Sequence, residues 1–482
     1  MNLLQAPPPS INDVPIELLQ RILLEVIPYV NCFPSPPYCH DSPVSLLGVC
    51  RRWRDIIVAT PMLWTKLLIR TSDSESPQKL LSGDNIRTWV ERSKPYPLKI
   101  IIYSRLYSLQ LQSGTQHLMT HASRNLGNIF FFYQNDEGSE DFYASLQRVD
   151  ELPRLTEASI FVKGPCASEW WGSLVHQAPN LHSLTWSAFP GYLQWSRLSR
   201  ITRLELLWPI SSEQALYILT CLNDLVELGI RLYNDARFIT YIPSLPSASQ
   251  KHLIHNLRIL RLYPISNSED IAAFVDLVTL PSLTTLEVAM TVEHHSIEWP
   301  QTHILSFLDR SSCVLSRLDL FRLDITEEQT IELLRHDSMS QTLVELVISR
   351  LDGDEDLTIA GDNLFKLLTI PKSESSDDVT PVILPRLNTV AFAFTMGKAT
   401  DGALSDMVQS RYPIPRNGAA PLEHLFAVKH GLSFEESSKD AEGLLAMHNA
   451  GLDVVLQGDC EWYSTEEKMS SNIKRILENI FA

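Results

Sequence analysis

Charged side chains recur at two fixed positions of an apolar motif, L-x-x-L-x-L, that is repeated along the chain. Because successive side chains of a β-strand point to opposite faces, the fourth and sixth positions would enter a core, and the third and fifth would form an outer face. The candidates for binding on that face are Arg203, Glu205, Arg261, Glu287, Arg317, Asp319 and Glu345, with Ile259, Thr285 and Val347 at equivalent positions. A row of both signs with few aromatic residues suits a protein segment with paired charges better than a lipid or a nucleic acid. The alternative is that these residues are ordinary solvated strand positions.

Residue types that could catalyse a reaction or bind a metal do not form a recognised motif. Cys32-x6-Cys39-His40, taken together with Cys50, lacks the tight paired spacing and the fourth ligand of structural zinc sites. The sequence contains no Gly-x-Ser-x-Gly nucleophile elbow and no glycine-rich phosphate-binding loop. We therefore expect no catalytic residue, no metal and no cofactor.

The repeated motif predicts the fold of most of the chain. Ten copies, in which other apolar residues replace some leucines, start at Leu155, Leu181, Ile201, Leu225, Leu257, Leu283, Leu315, Leu343, Leu387 and Leu422. Their starts are 20 to 44 residues apart, whereas regular leucine-rich repeats have a period of about 20–29 residues. Strand, loop and helix in this order predict an α/β fold, an irregular leucine-rich-repeat-like, right-handed solenoid over residues 86–482. The alternative is an ordinary α/β domain with a doubly wound sheet.

Helical patterns lie between the motif copies and after the last of them. Ser212–Leu222 and Thr326–Arg335 each begin with a capping residue and have one apolar side. Two further amphipathic patterns, Ser438–His448 and Thr465–Ile480, end the chain. We expect these two helices to cover the end of the solenoid, because an open end would expose its core.

The first 70 residues predict a separate helical module. One helix has an apolar stripe made of Leu18, Leu19, Ile22 and Leu23. A second helix is predicted to start at Leu46, with Ser45 as its N-cap, and to end at Thr60-Pro61, since proline cannot continue a helix. A proline-rich insert, residues 29–43, separates the two helices.

The two helices carry motifs that resemble those of a known family. The segments are Val14-Pro15-x-Glu17-Leu18-Leu19-x-x-Ile22, Leu46-x-x-Val49-Cys50-Arg51-x-Trp53-Arg54 and Leu63-Trp64. Together they resemble the F-box domain of the expanded fungal (basidiomycete-type) family over about residues 11–67. After residue 85, a helix that contains Trp89-x-x-Arg92-Ser93 is followed by a strand, and this order is also similar to the order of elements that follows the F-box in that group.

The resemblance implies a docking function for this module. F-boxes bind the Skp-type adaptor, and through it the cullin, of SCF ubiquitin ligases. The adaptor-binding residues implied for this sequence are Pro15, Glu17, Leu18, Leu19, Ile22 and Leu23, with Val49, Cys50, Trp53 and Trp64 supplying core and further contact. The chain would then be a substrate-recognition subunit, without an active site of its own, that holds a protein target on the solenoid. The alternatives are a protein-interaction scaffold that takes no part in ubiquitination, and a generic helical hairpin.

Composition limits the class of protein and its surroundings. Of 482 residues, 44% are hydrophobic and 20% are charged, which is typical of a globular protein. The net charge of −17 falls on residues 71–482 and argues against binding to nucleic acid or anionic membranes, which needs clustered Lys and Arg. Seven cysteines, no secretion signal and no long apolar run predict a cytoplasmic or nuclear protein without a disulfide framework. We expect a flexible tail (1–10), the helical module (11–70), a linker (71–85) and the solenoid (86–482).

Overall fold

The computed structural model describes residues 14–26, 43–71, 83–104, 109–133, 151–162, 165–233, 253–265, 268–290, 298–349, 359–371, 382–393, 395–396, 399–415, 419–428 and 438–457. These residues form a mixed α/β protein whose strands pair in parallel. The chain divides into two compact units, Met1–Ile201 and Thr202–Ala482.

The first unit combines the N-terminal helices with five parallel strands. Its helices are Ile16–Val26, Pro43–Leu46, Arg51–Val58, Gly83–Ser93, Leu109–Ala122 and Pro165–Val175. Its strands are β1 (Lys66–Thr71), β2 (Leu98–Ser104), β3 (Leu126–Tyr133), β4 (Glu157–Phe161) and β5 (Ser183–Trp186), paired in chain order. Along β2, buried and half-buried residues alternate because one face of the strand, including Ile100 and Ile102, lies in the core.

The second unit repeats a strand and a helix along the sheet. Its helices are Ser212–Cys221, Ser268–Val275, Gln301–Ser311, Glu327–Leu334, Asp362–Leu368, Ala403–Arg411 and Lys439–Asn449. Its strands are β6 (Arg203–Ile210), β7 (Glu227–Leu232), β8 (Leu253–Ile254), β9 (Ile259–Pro264), β10 (Val278–Thr279), β11 (Thr285–Ala289), β12 (Arg317–Phe321), β13 (Glu345–Ser349), β14 (Thr389–Ala393), β15 (His424–Val428) and β16 (Asp453–Gln457). β8 and β10 form a separate two-stranded pair, and the others pair in chain order.

Each of the ten motif copies contains a strand, and that strand starts at the third position of the motif. Parallel pairing joins equal motif positions, so the fourth-position residues Leu260, Leu286, Leu318, Leu346 and Val390 stand side by side and are all buried. Strand order in each unit follows the chain, without the reversal that a doubly wound sheet shows. The doubly wound alternative therefore describes neither unit.

The helices of the second unit cover the face of the sheet formed by the fourth and sixth motif positions. Phe365 of the helix Asp362–Leu368 packs edge-to-face on Phe392 of β14, with ring centroids 5.6 Å apart. Phe392 holds the sixth position of its motif copy. Successive helices also pack against one another along the unit. The opposite face, formed by the third and fifth positions, is called the outer strand face below.

The prediction of one helix from Leu46 with Ser45 as its N-cap is wrong. The short helix Pro43–Leu46 ends in a turn at residues 47–49, which includes Gly48, and a new helix begins at Arg51. Its N-cap is Cys50, which is extended and whose Sγ accepts a hydrogen bond from the Trp53 N–H at 3.4 Å. Glycine favours a turn over a helix interior, and this explains the interruption.

Other predictions agree with the described elements or fall outside them. The pattern Ser438–His448 corresponds to the helix Lys439–Asn449, capped by Ser438. The tail 1–10, the pattern Thr465–Ile480 and most of the insert 29–43 and the linker 71–85 lie outside the described residues.

One buried arginine ties a loop to the helix layer of the second unit. Arg411, at the end of the helix Ala403–Arg411, is 0% exposed and donates to three carbonyl oxygens: Leu368 (2.6 Å), Leu384 (3.0 Å) and Ile383 (2.9 Å). Leu384 has a φ of 53°, in the left-handed region that is unfavourable for leucine. Desolvation lowers the pKa of Arg411 to about 10, so its charge is retained at neutral pH.

We expect Arg411→Met to lower the free energy of unfolding by about 2–4 kcal/mol, because three carbonyl groups lose a charged donor. Urea denaturation followed by circular dichroism measures this loss. Arg335→Met, at an exposed position, is the matched control and should change it by less than about 0.5 kcal/mol. Similar losses in both variants would contradict the structural role of Arg411.

Candidate protein-binding surfaces

The first helix, Ile16–Val26, has two apolar stripes in different surroundings. Leu19 and Leu23 are fully buried and fix the helix to its neighbours. Leu18 and Ile22 are 53% and 45% exposed. The predicted adaptor-binding residues of this helix therefore include two core residues and two residues on the surface, and Pro15 and Glu17 are also exposed.

Exposed apolar residues also come from the other elements of the N-terminal module. Including the first helix, the set is Ile16, Leu18, Ile22, Val44, Val49, Val58 and Met62. Val49 was predicted to contact an adaptor, whereas Ile16, Val44, Val58 and Met62 were not. Their exposure depends on how the helices pack, which spacing along the sequence does not reveal. Exposed apolar side chains become a candidate protein-binding surface where they lie on the same side of an element, as Leu18 and Ile22 do on the first helix.

The two predicted tryptophans differ in burial. Trp64 is 1% exposed, donates from Nε1 to the Ile57 carbonyl at 2.8 Å, and meets Trp89 edge-to-face with ring centroids 4.9 Å apart. The Arg92 guanidinium lies 4.4 Å from the Trp64 ring. Trp53, like Cys50, is only half-buried. Trp64 is therefore the aromatic residue that joins the N-terminal helices to the helix Gly83–Ser93.

The outer strand face of the second unit brings together all the charged residues predicted for it. Register aligns the third positions of β6 to β13 in one row and the fifth positions in a second row. We call these charged residues the charge ladder: Arg203, Glu205, Glu227, Arg261, Glu287, Arg317, Asp319 and Glu345. It contains five carboxylates and three guanidinium groups.

Ion pairs connect neighbouring strands along the ladder. Arg203 lies 3.3 Å from Glu227, and Arg261 lies 3.7 Å from Glu227 and 3.3 Å from Glu287. The Arg203 side chain is 58% exposed, whereas that of Glu287 is 10% exposed. The ladder is thus open to a partner at β6 and becomes more buried toward β11.

The most buried pair of the ladder lies on β12. Arg317 donates from Nε and Nη2 to Asp319 Oδ2 at 2.7 and 2.5 Å, and from Nη1 to Glu345 Oε2 at 2.6 Å. Asp319 Oδ1 is buried and has no hydrogen-bond partner among the described residues. Burial therefore leaves one carboxylate oxygen unsatisfied, which favours the protonated form.

The predicted set lacks one ladder residue, Glu227, and two residues that contact the ladder, Gly229 and Tyr263. Glu227 and Gly229 hold the third and fifth positions of the copy that starts at Leu225, so the same positional rule would have selected Glu227. A Cβ at Gly229 would lie 3.2 Å from Glu205 Cγ, so glycine leaves room for that carboxylate beside Arg261. Tyr263 lies one alternation further along β9 and hydrogen-bonds to the Glu205 and Glu287 carboxylates.

Burial raises the pKa of three ladder carboxyl groups. Desolvation raises the pKa of Asp319 to about 7 and outweighs the attraction of the Arg317 guanidinium. Desolvation likewise raises the pKa values of Glu205 and Glu287 against the attraction of Arg261. Because carboxylates outnumber guanidinium groups and are partly removed from water, a cationic side chain brought to this face would stabilise their charged forms.

The described residues offer no sign of a metal site or a membrane span. Nowhere among them do His, Cys, Asp and Glu side chains form a group of three or more that could hold a metal ion. None of the described helices is long and apolar enough to cross a membrane.

We expect Trp64→Ala to destabilise the first unit by about 3–5 kcal/mol, because a fully buried indole leaves a cavity and the Ile57 carbonyl loses its donor. Trp53→Ala, at a half-buried position, should cost clearly less. Thermal unfolding of the two variants, compared with wild type, measures the difference. An equal or larger loss for Trp53→Ala would contradict the assignment of Trp64 as the buried anchor.

The pKa of Asp319 predicts a pH dependence of stability. A carboxyl group whose pKa rises on folding binds its proton more tightly in the folded state than in the unfolded state. The protonated Asp319 therefore contributes fully to the free energy of unfolding below its unfolded pKa of about 4. This contribution is lost as the pH rises toward its folded pKa of about 7. Asp319→Asn removes this titration. The free energy of unfolding of the Asp319→Asn variant, relative to that of wild type, should therefore increase as the pH is raised from about 4 to about 7.

Urea midpoints at several pH values measure that difference, and Asp224→Asn, which changes an exposed carboxylate, is the control. A constant difference between Asp319→Asn and wild type across this range would show that Asp319 is ionised throughout.

No protein-family model matches this chain, and no curated protein is significantly similar to it. The geometry of the two surfaces and the motifs of the N-terminal module are therefore the basis of a functional proposal.

Proposed function

We propose that this chain is an F-box protein, the substrate-recognition subunit of a cullin-type (SCF) ubiquitin ligase. The N-terminal module docks a Skp-type adaptor and, through it, a cullin. The strand-and-helix repeats, which the sequence predicts to be an irregular leucine-rich-repeat-like solenoid, hold a protein target. The chain acts where that machinery operates, in the cytoplasm or the nucleus.

The observation that carries this proposal is the exposed stripe of the first helix. Leu18 and Ile22 are four residues apart, so they lie on the same side of the helix, next to the stripe that Leu19 and Leu23 bury. Exposed leucine and isoleucine at this spacing are the anchors by which an amphipathic helix binds a partner. Both residues fall inside the motif that resembles an F-box.

The charge ladder supports a protein target rather than a small substrate. Its open end, from Arg203 to Arg261, presents ion pairs, and the ladder as a whole has five carboxylates for three guanidinium groups. We propose that the target segment carries basic side chains that these carboxylates recognise. Binding of the target to this face would promote ubiquitin transfer, because it raises the effective concentration of target lysines near the ubiquitin-loaded enzyme.

The double variant Leu18→Asp/Ile22→Asp tests the adaptor proposal in the full chain. Binding to a purified Skp-type adaptor, measured by biolayer interferometry, should weaken at least about tenfold, because two apolar anchors become charged. Leu445→Asp is the matched control: it places the same charge at a 56% exposed leucine of the helix Lys439–Asn449. This variant should bind the adaptor like wild type.

Circular dichroism distinguishes lost binding from lost folding. Leu19→Asp is unsuitable as a test, because Leu19 is fully buried and a charge there would unfold the module. A folded wild-type chain that does not bind the adaptor would overturn the proposal and leave a protein-interaction scaffold. A chain that binds the adaptor but does not assemble with a cullin would overturn only the ligase part.

A further inference from the structure

The sheet of the first unit carries a patch of aromatic residues on the face opposite its buried core. Along β2, β3 and β4, buried residues alternate with half-buried ones, and the half-buried positions toward the carboxyl ends of the strands are aromatic. We call these residues the aromatic patch: Tyr103 on β2, Phe130 and Phe132 on β3, and Phe161 on β4. On the core side, Phe131 of β3 packs on Trp171 of the helix Pro165–Val175, with ring centroids 4.7 Å apart.

The aromatic patch is more accessible than the apolar part of the outer strand face in the second unit. On β12 to β16, the apolar side chains of the outer strand face are at most 4% exposed: Phe321, Val347, Ala391, Ala393, Phe426 and Val455. The four residues of the aromatic patch are only half-buried. A contiguous group of partly exposed aromatic side chains on one face of a sheet is a candidate docking surface.

The rings of the patch contact one another across neighbouring strands. Tyr103 and Phe132 are paired in register, and their rings stack with centroids 4.7 Å apart and planes 14° from parallel. The Phe161 ring centroid lies 5.1 Å from that of Phe130 and 6.1 Å from that of Phe132. Since the faces of the Tyr103 and Phe132 rings are turned toward each other, a partner meets mainly ring edges, which carry partial positive charge. Stacking of nucleic-acid bases would instead need open ring faces.

A pair of lysines lies on the same face, at the amino ends of β1 and β2. Lys66 and Lys99 are in register on strands about 4.8 Å apart, so their charges repel each other. Both side chains are half-buried, and Lys99 lies between Leu98 and Ile100, which are in the core. Desolvation and, to a smaller extent, the charge of Lys99 lower the pKa of Lys66. A carboxylate beside the pair would offset both effects.

Ile101 connects the lysine pair to the aromatic patch. It lies two residues from Lys99 and two from Tyr103, so the three half-buried side chains share one side of β2. In the same register as the lysines, Asn128 donates to the Glu157 carboxylate at 2.5 Å, so this carboxylate is already paired. The surface thus has a positive end and an apolar middle, which complements a segment with carboxylates beside apolar side chains.

We propose that this face of the first unit is a docking surface for an acidic protein segment, which places carboxylates beside Lys66 and Lys99 and an aromatic or leucine side chain on the aromatic patch. The charge of this segment is opposite to that of the basic segment proposed for the charge ladder, so the two surfaces select different segments. The proposal does not depend on adaptor binding, because Leu18 and Ile22 are not part of this surface.

Peptide display on the full chain tests the chemistry of this partner. A random-peptide library is selected for binding to the wild-type chain and depleted on the double variant Lys99→Glu/Phe132→Thr. The enriched peptides should combine Asp or Glu with an aromatic residue or leucine. Enrichment of basic peptides, or of none, would overturn the proposal.

Fluorescence anisotropy of one labelled, enriched peptide measures the two contributions separately. Lys99→Glu should weaken binding at least about tenfold, because a carboxylate would then face a carboxylate. Phe132→Thr should weaken it at least about fivefold, because threonine favours the strand but removes the ring. Arg87→Glu, at an exposed position of the helix Gly83–Ser93, is the matched control and should bind the peptide like wild type.

Two further measurements keep the outcomes distinct. Circular dichroism and adaptor binding should be unchanged in Lys99→Glu, so that a loss of peptide binding is neither a loss of folding nor a failure of the proposed F-box function. Equal peptide binding by Lys99→Glu and wild type would overturn the proposal. Tighter binding of a labelled thymidine oligonucleotide than of the peptide would also overturn it and identify a nucleic-acid surface instead.

Discussion

The second unit depends on one constraint, the in-register parallel pairing of strands that start at the same motif position. Each pairing joins a fourth position to a fourth and a fifth to a fifth, so any residue type chosen at a motif position becomes a row across the sheet. Rows of leucine on one face form a continuous core against the helices. Rows on the other face form a surface whose chemistry changes from ion pairs at β6 to a buried apolar cluster at β16.

The same pairing explains the electrostatics of the ladder. Strands about 4.8 Å apart place an arginine between acidic neighbours on both sides, as Arg261 lies between Glu227 and Glu287. These pairs offset the desolvation of the carboxylates only in part, so Glu205, Glu287 and Asp319 keep raised pKa values. Ion pairs whose charges are partly removed from water add little net stability, because desolvation offsets their attraction. The arrangement of these pairs is better suited to selecting a partner with a complementary charge pattern than to holding the sheet together.

The N-terminal module follows a different rule, because a single short helix must both join a core and present a surface. Leu19 and Leu23 provide the first function, and Leu18 and Ile22, one position earlier in each turn, are left for the second. Trp64 lets the module pack on the helix that follows β1, through Trp89 and Arg92. The exposed leucine and isoleucine are thus held on a helix whose other side is fixed, which is the preorganisation that a docking surface needs.

The repeating elements can be predicted from the chain alone, because the L-x-x-L-x-L spacing needs no knowledge of distant residues. All ten copies contain strands, and Ser211, Thr326 and Ser438 cap helices near the predicted starts. The alternation also predicts which residues lie on the strand face opposite the helices, since side-chain alternation in a strand is local. Which residues of an apolar stripe are buried cannot be read from the stripe, as Leu18 and Leu19 show, because burial depends on what packs against each side of the helix. Tertiary structure also decided that Trp64 rather than Trp53 is the fully buried tryptophan, and that Glu227 bridges two arginines, since both follow from contacts between segments whose relative positions only the folded chain sets.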